Sequence, residues 1–146
     1  MQVEIKIDDD CRETKIIILT DKMTEEINSL VRKLSAEPPQ ILSGFRGDTA
    51  EILEQSDILR IYASSGKVLA VTEKGEYTLR LRLYELEERL DPKHFVRISH
   101  SEIVNLQKVK GFDLSFTGTI CVSLSDGTVT YVSRRYVSKI KQILGL

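Results

Sequence analysis

Cysteine is scarce in this chain of 146 residues, and the two present, Cys11 and Cys121, are far apart with no C-x-x-C spacing. That excludes a zinc knuckle or a thioredoxin-like pair and points to free thiols in a reducing compartment. Long apolar runs are also missing. The longest, IIIL at 16–19, falls far short of the roughly 20 residues that span a bilayer. The first residues show no charged-then-apolar leader pattern, so a soluble, cytoplasmic protein is expected. Catalytic signatures are absent as well: there is no G-x-S-x-G elbow and no H-E-x-x-H, and the only histidines, His94 and His100, are six apart. A metal centre needs three or four ligands and a nucleophile needs a base within reach. No enzyme activity, metal, cofactor or small-molecule substrate is therefore expected. No internal repeat or low-complexity segment interrupts the chain, whose length suffices for a real core.

The charge that is present is unevenly placed. The net charge is −1, yet residues 1–57 hold 7 Lys and Arg against 13 Asp and Glu, and residues 58–146 hold 14 against 9. The first part is thus acidic by six charges and the second basic by five. The second part is the candidate for contact with a polyanion.

Periodicity separates the same two parts. VEIKI at 3–7 alternates with period two and TKIIILT at 14–20 is a β-branched block, so both read as strands. TEEINSLVRKLSAEPP then places Ile27, Leu30, Val31 and Leu34 at helical spacing. Thr24 is the expected N-cap, Glu25 and Glu26 open the helix, Arg32 and Lys33 close it, and Pro38-Pro39 enforces the stop. With one more strand up to about residue 45, a small α/β module spans 1–45. From 46 to 146 the expectation is a β-rich domain of short antiparallel strands with short helices, giving an α+β fold class overall. Strands are expected at 58–62, 67–72 and 76–82, with a helix through Leu83, Leu86 and Leu90 that ends at Asp91-Pro92. GFDLSF follows, then a hairpin in TICVSLSDGTVTYVS around Asp126-Gly127. Ser133 should cap a closing helix that buries Tyr136, Val137, Ile140, Ile143 and Leu144.

Two places carry chemistry. In FVRISHSEIVNL, at 95–106, neighbouring strand side chains point to opposite faces, so His100 is no base for Ser99 or Ser101. S-x-x-E at 99–102 instead reads as a capping box opening a short helical turn through Ile103, Val104 and Leu106, which leaves His100 and Ser101 on an exposed loop. In the closing helix, Arg134 and Arg135 occupy the first turn, where a cation opposes the helix dipole by about 0.3–1 kcal/mol. Either an external anion compensates, or Asp126 or Glu102 pairs with them. Lys108, Lys110, Lys139 and Lys141 extend the basic character. A basic β-rich domain without an aromatic stripe suits duplex DNA better than single strands, which ask for stacking rings.

F-V-R-I-S-H-S-E-I-V-N at 95–105, the Asp-Gly hairpin at 126–127 and Y-V-S-R-R-Y-V at 131–137 together resemble the LytTR DNA-binding domain, and E-I-L-E-Q-S-D-I-L-R-I-Y and L-Y-E-L-E-E-R-L fit its first half. The likeness covers about residues 48–146. It implies a transcriptional regulator that reads repeated half-sites in double-stranded DNA as a homodimer, through loops inserted in successive major grooves. The DNA-contact positions it carries over are His100, with Ser101 beside it, and Arg135, with Arg134 as the neighbouring register. A third contact loop falls at Ser65, Gly66 and Lys67. Here glycine stands where family members carry a long polar side chain, so either Lys67 substitutes or that contact is missing. Lys108 and Lys139 are expected phosphate contacts. The short acidic extension resembles that of small LytTR regulators without a receiver domain, some associated with a small membrane protein, and is expected to serve dimerisation or regulation. The rival reading is a protein-interaction module that acts through the acidic part without binding DNA.

Overall fold

The computed structural model describes residues 1–35 and 41–146. The chain divides into two compact units, one up to Pro38 and the other from Pro39 onward. In the first unit the expected helix forms as α1, Glu25–Leu34. The Thr24 side chain accepts a hydrogen bond from the Ile27 N–H at 3.2 Å, and the acid-first, base-last charge order suits the dipole. The Ser35 N–H closes the helix on the Val31 carbonyl, while the expected Pro38-Pro39 stop lies outside the described residues. The strands expected at 3–7 and 14–20 do not form. A strand exists only where its N–H and C=O groups find a neighbour. These two segments flank a turn at Asp8–Cys11, closed by the Cys11 N–H on the Asp8 carbonyl at 3.1 Å, without pairing across it.

The third strand assigned to that module forms, but in the second unit. β1, Leu42–Arg46, pairs antiparallel with β2, Thr49–Leu53. Next come β3 (Ile58–Ser64), β4 (Lys67–Thr72), β5 (Gly75–Leu79), α2 (Leu83–Arg89), β6 (Phe95–Ser99) and β7 (Glu102–Asn105). β8 (Val109–Asp113), β9 (Ile120–Leu124), β10 (Val129–Val132) and α3 (Arg134–Ile143) complete the unit. The first seven strands make one sheet in the order β2-β1-β5-β4-β3-β7-β6, and the last three make a second in the order β10-β9-β8. All pairings are antiparallel, as the hairpin signals at Ser64–Lys67, Lys74-Gly75 and Asp126-Gly127 require.

Two apolar cores result. Leu83, Leu86 and Leu90 of the α2 region pack onto Leu42, Ile58, Ile61, Ala70 and Leu79 of the large sheet. Burying a leucine such as Leu86 completely stabilises by about 1.5–3 kcal/mol. The second core joins Val96, Ile98 and Val104 to Ile120, Val122, Leu124, Val132 and Ile140. β6 and β7 therefore serve both: Phe95 and Ile103 face the first core, Val96, Ile98 and Val104 the second. All four residues of β7 are buried in consequence. On α3 only Ile140 is fully buried. Tyr136 and Val137 are half-buried, and Ile143 and Leu144 remain exposed, so the apolar side is narrower than the spacing suggested.

Candidate nucleic-acid interface

The hairpin of β6 and β7 pairs Val96 with Val104, Arg97 with Ile103 and Ser99 with Glu102, which leaves His100 and Ser101 as its turn. The capping box expected at 99–102 is thus a hairpin turn. Strand pairing on both sides of β7 outweighs a one-turn helix, and Glu102 points inward rather than back at Ser99. The short 3-10 turn comes later, at Leu106–Lys108, and its cap is Asn105, whose side chain accepts from the Gln107 N–H at 3.0 Å and donates to the Ile58 carbonyl at 2.8 Å. Ser99 keeps a smaller role, its hydroxyl accepting from the Ser101 N–H at 3.2 Å. His100 is exposed, as the loop reading required.

Arg97 braces this turn from below. Its Nε donates to the Ser99 carbonyl at 2.8 Å, another guanidinium nitrogen donates to the His100 carbonyl, and Nη1 meets Glu87 at 3.1 Å. Glu102 anchors the other side: Oε1 accepts from Arg60 Nη1 at 2.8 Å and Oε2 from the Thr130 hydroxyl at 2.6 Å. Thr130 lies on β10, so a buried carboxylate ties the two sheets together directly behind the turn. Arg97, Arg60 and Thr130 were missed by sequence reasoning. The available signal was an arginine inside an otherwise apolar strand, three residues before the turn.

Pairing brings a second loop alongside. Tyr62 of β3 is opposite Glu102, and the Ala63 N–H donates to the Ser101 carbonyl at 2.8 Å. The β3–β4 turn, Ser65-Gly66 followed by Lys67, therefore borders the His100 turn at one end of the large sheet. Ser65 and Gly66 both have positive φ, 51° and 77°, the pattern of the primed two-residue turn that suits strand twist. An added β-carbon at Gly66 would meet no atom within 4 Å, so the tip is open to solvent.

The third element arrives from the small sheet. The Ser133 N–H donates to the Ile98 carbonyl at 2.9 Å, so α3 starts beside the last residues of β6. Ser133 makes no side-chain cap bond, and the helix opens with two exposed arginines. The two acids that could have paired with them are engaged elsewhere. Glu102 holds Arg60 and Thr130, and Asp126 accepts from the Thr128 N–H at 2.9 Å. Among the described residues neither Arg134 nor Arg135 has an ion pair. The Arg134 guanidinium lies over Gly118, where a β-carbon would come within 3.3 Å of its Nε. Arg135 shares its helix side with Lys139, one turn on.

The turns that carry Lys67, His100 and Ser101 thus border each other, and Arg134 and Arg135 open the helix that starts beside β6. Lys108 lies at the opposite end of the sheet, 3.9 Å from Glu73 in the β4–β5 turn. Lys139 edges a cleft of about 250 Å³ with Glu87, Arg97, Leu90, Phe95 and Ile143.

What the fold and this end of it define is an α+β domain that presents basic and polar side chains from two hairpin turns and one helix start. The LytTr DNA-binding domain family matches residues 48–145, and the chain belongs to the LytTR family. Proteins described as HTH-type transcriptional regulators in Staphylococcus aureus strains NCTC 8325 / PS 47 and COL are each 34% identical over 147 residues, covering 100% of this chain and 99% of theirs. Another, from strain MSSA476, is 36% identical over 135 residues, 92% of this chain and 91% of its own. The fold is also that of the solved LytTr DNA-binding domain of a methyl-accepting/DNA response regulator from Bacillus cereus, with a TM-score of 0.70 over 73% of this chain and 97% of that one, at 24% identity. Residues 1–35 hold one helix rather than the alternating strands and helices of a receiver domain. No helix among the described residues is long and apolar enough to cross a membrane.

Proposed function

We propose that this chain is a sequence-specific transcriptional regulator that reads repeated half-sites in duplex DNA as a homodimer, by placing the two turns and the start of α3 against the major groove. The observation that carries this reading is the uncompensated pair Arg134 and Arg135 at a helix N-terminus, set beside the solvent-exposed turns of Lys67 and His100. A phosphate or a base edge supplies the negative partner that the protein itself withholds. Arg135 is assigned to guanine, whose O6 and N7 match the guanidinium fork, and His100 and Ser101 to neighbouring base edges. Lys67 and Arg134 take phosphates, which position the domain without specifying sequence. The acidic first unit would be repelled by phosphate. It is assigned to assembly and to contact with a regulatory partner, for which the family resemblance offers a small membrane protein.

The test is an electrophoretic shift of duplex DNA from the region upstream of its own coding sequence, at several salt concentrations. Binding should fall steeply with salt, because each phosphate neutralised releases counterions and contributes about 0.9 to the logarithmic slope. Salt-insensitive or absent binding would favour the protein-interaction reading instead.

A further inference from the structure

Val3-Glu4-Ile5-Lys6-Ile7 has the pattern of a half-buried strand, yet Val3, Ile5 and Ile7 are 86%, 84% and 93% exposed. No strand forms among the described residues of its own unit. Extended as a strand, the segment would put three β-branched residues on one face and leave a row of N–H and C=O groups along its edge, a template for strand addition. The sequence of this template matches itself. Laid antiparallel on a second copy about a two-fold axis at Ile5, Val3 faces Ile7, Ile5 faces Ile5, and Glu4 and Lys6 face each other in both directions. Every apolar side chain then meets an apolar one, and on the opposite face both charged pairs are of opposite sign, the favourable arrangement across an antiparallel ladder. Parallel in-register pairing would oppose Glu4 to Glu4 and Lys6 to Lys6. A hairpin with the segment after the Asp8–Cys11 turn can oppose Glu4 to Lys15 and Lys6 to Glu13, but it sets Ile5 on Thr14 and Ile7 on Arg12.

We propose that two copies of the chain associate through Val3–Ile7 as an antiparallel strand pair centred on Ile5. This rests on the homodimer reading above and names the surface that makes the dimer. An isolated two-stranded ribbon is marginal in water unless a helix packs on it. The same unit supplies α1, whose apolar stripe leaves Val31 and Leu34 41% and 45% exposed.

The test is sedimentation equilibrium of the full chain as wild type, Glu4→Lys, Lys6→Glu and the double reversal Glu4→Lys/Lys6→Glu. Each single reversal places like charges in two symmetry-related pairs and should raise the dimer dissociation constant about tenfold. The double reversal re-forms both pairs and should restore wild-type association. All these positions are exposed, and retained binding to a single DNA half-site checks that the second unit is intact. A double reversal as weak as the singles would overturn the proposal in favour of pairing with residues 12–16. Dissociation constants indifferent to all three variants would overturn it while leaving a dimer. A wild-type chain that is monomeric at every concentration would overturn the homodimer reading as well.

Discussion

At the residue scale, buried and solvent-facing side chains separate within four consecutive positions. Glu102 is a buried carboxylate with two partners on two sheets, and the half-buried Ser99 makes only modest contacts inside the turn, to the Ser101 N–H and hydroxyl. His100 projects into solvent. Arg60→Met should therefore cost about 2 kcal/mol, because it leaves the Glu102 charge with only the Thr130 hydroxyl, and Ser99→Ala only about 0.5 kcal/mol. The Arg60 figure is set below the range for fully buried pairs because the Arg60 side chain keeps 22% of its exposure. His100→Ala should leave the unfolding midpoint unchanged while weakening specific binding. Denaturant unfolding of the three variants checks this order. A destabilised His100→Ala protein would make His100 a packing residue.

The exposed position of His100 was legible in the sequence, but its cause was not. S-x-x-E is satisfied equally by a capping box and by a hairpin turn whose glutamate turns inward. The deciding fact is that β7 has partners on both sides, β3 some 40 residues earlier and β6 immediately before. A local pattern contains no such information.

At the element scale, local signals were reliable where the partner lies close in sequence. The hairpins at Ser64–Lys67 and Asp126-Gly127, the helix at Leu83–Arg89 and the cap at Thr24 all formed as the pattern indicated. Segment 3–7 alternates equally well and segment 14–20 is a β-branched block, yet neither has a ladder, because such patterns report a propensity to pair and not the presence of a partner. Leu42–Arg46 shows the converse: a strand assigned to one unit by proximity belongs to the other by pairing.

The Asp126-Gly127 turn also makes a pH-dependent contribution. The Thr128 N–H donates to the Asp126 carboxylate and holds its pKa below the ordinary value near 3.8. A depressed folded-state pKa contributes stability above the unfolded value, lost as pH falls through the folded one. Asp126→Asn keeps an acceptor but cannot ionise, so wild type should lose its advantage over this variant on acidification below about pH 4. Parallel unfolding curves at pH 7 and pH 3 measure the difference. An advantage that grows in acid would contradict the assignment.

At the scale of the whole molecule, charge and fold divide the chain along nearly the same line. The acidic excess lies in residues 1–57 and the basic excess beyond them. The structural division falls earlier, since β1 already belongs to the large sheet. A protein of residues 41–146 keeps every strand of that sheet and both cores. It should protect the same DNA half-site as the full chain and lose cooperative occupancy of paired sites. Footprinting on single and paired sites distinguishes the two effects, and unchanged cooperativity would remove the first unit from assembly.

We propose that the end of the large sheet with the Lys67 and His100 turns, together with the start of α3, reads DNA and that the far end of the sheet does not. Binding-site selection from random duplexes tests it most directly, comparing wild type, Arg135→Ala and Lys108→Ala. Arg135→Ala is expected to lose its preference at one guanine position of each half-site, a discrimination of about 1–3 kcal/mol, while the rest of the consensus persists. Lys108→Ala, at the far end beside Glu73, is expected to return the wild-type consensus at wild-type affinity. A wild-type consensus from Arg135→Ala together with an altered one from Lys108→Ala would contradict the account.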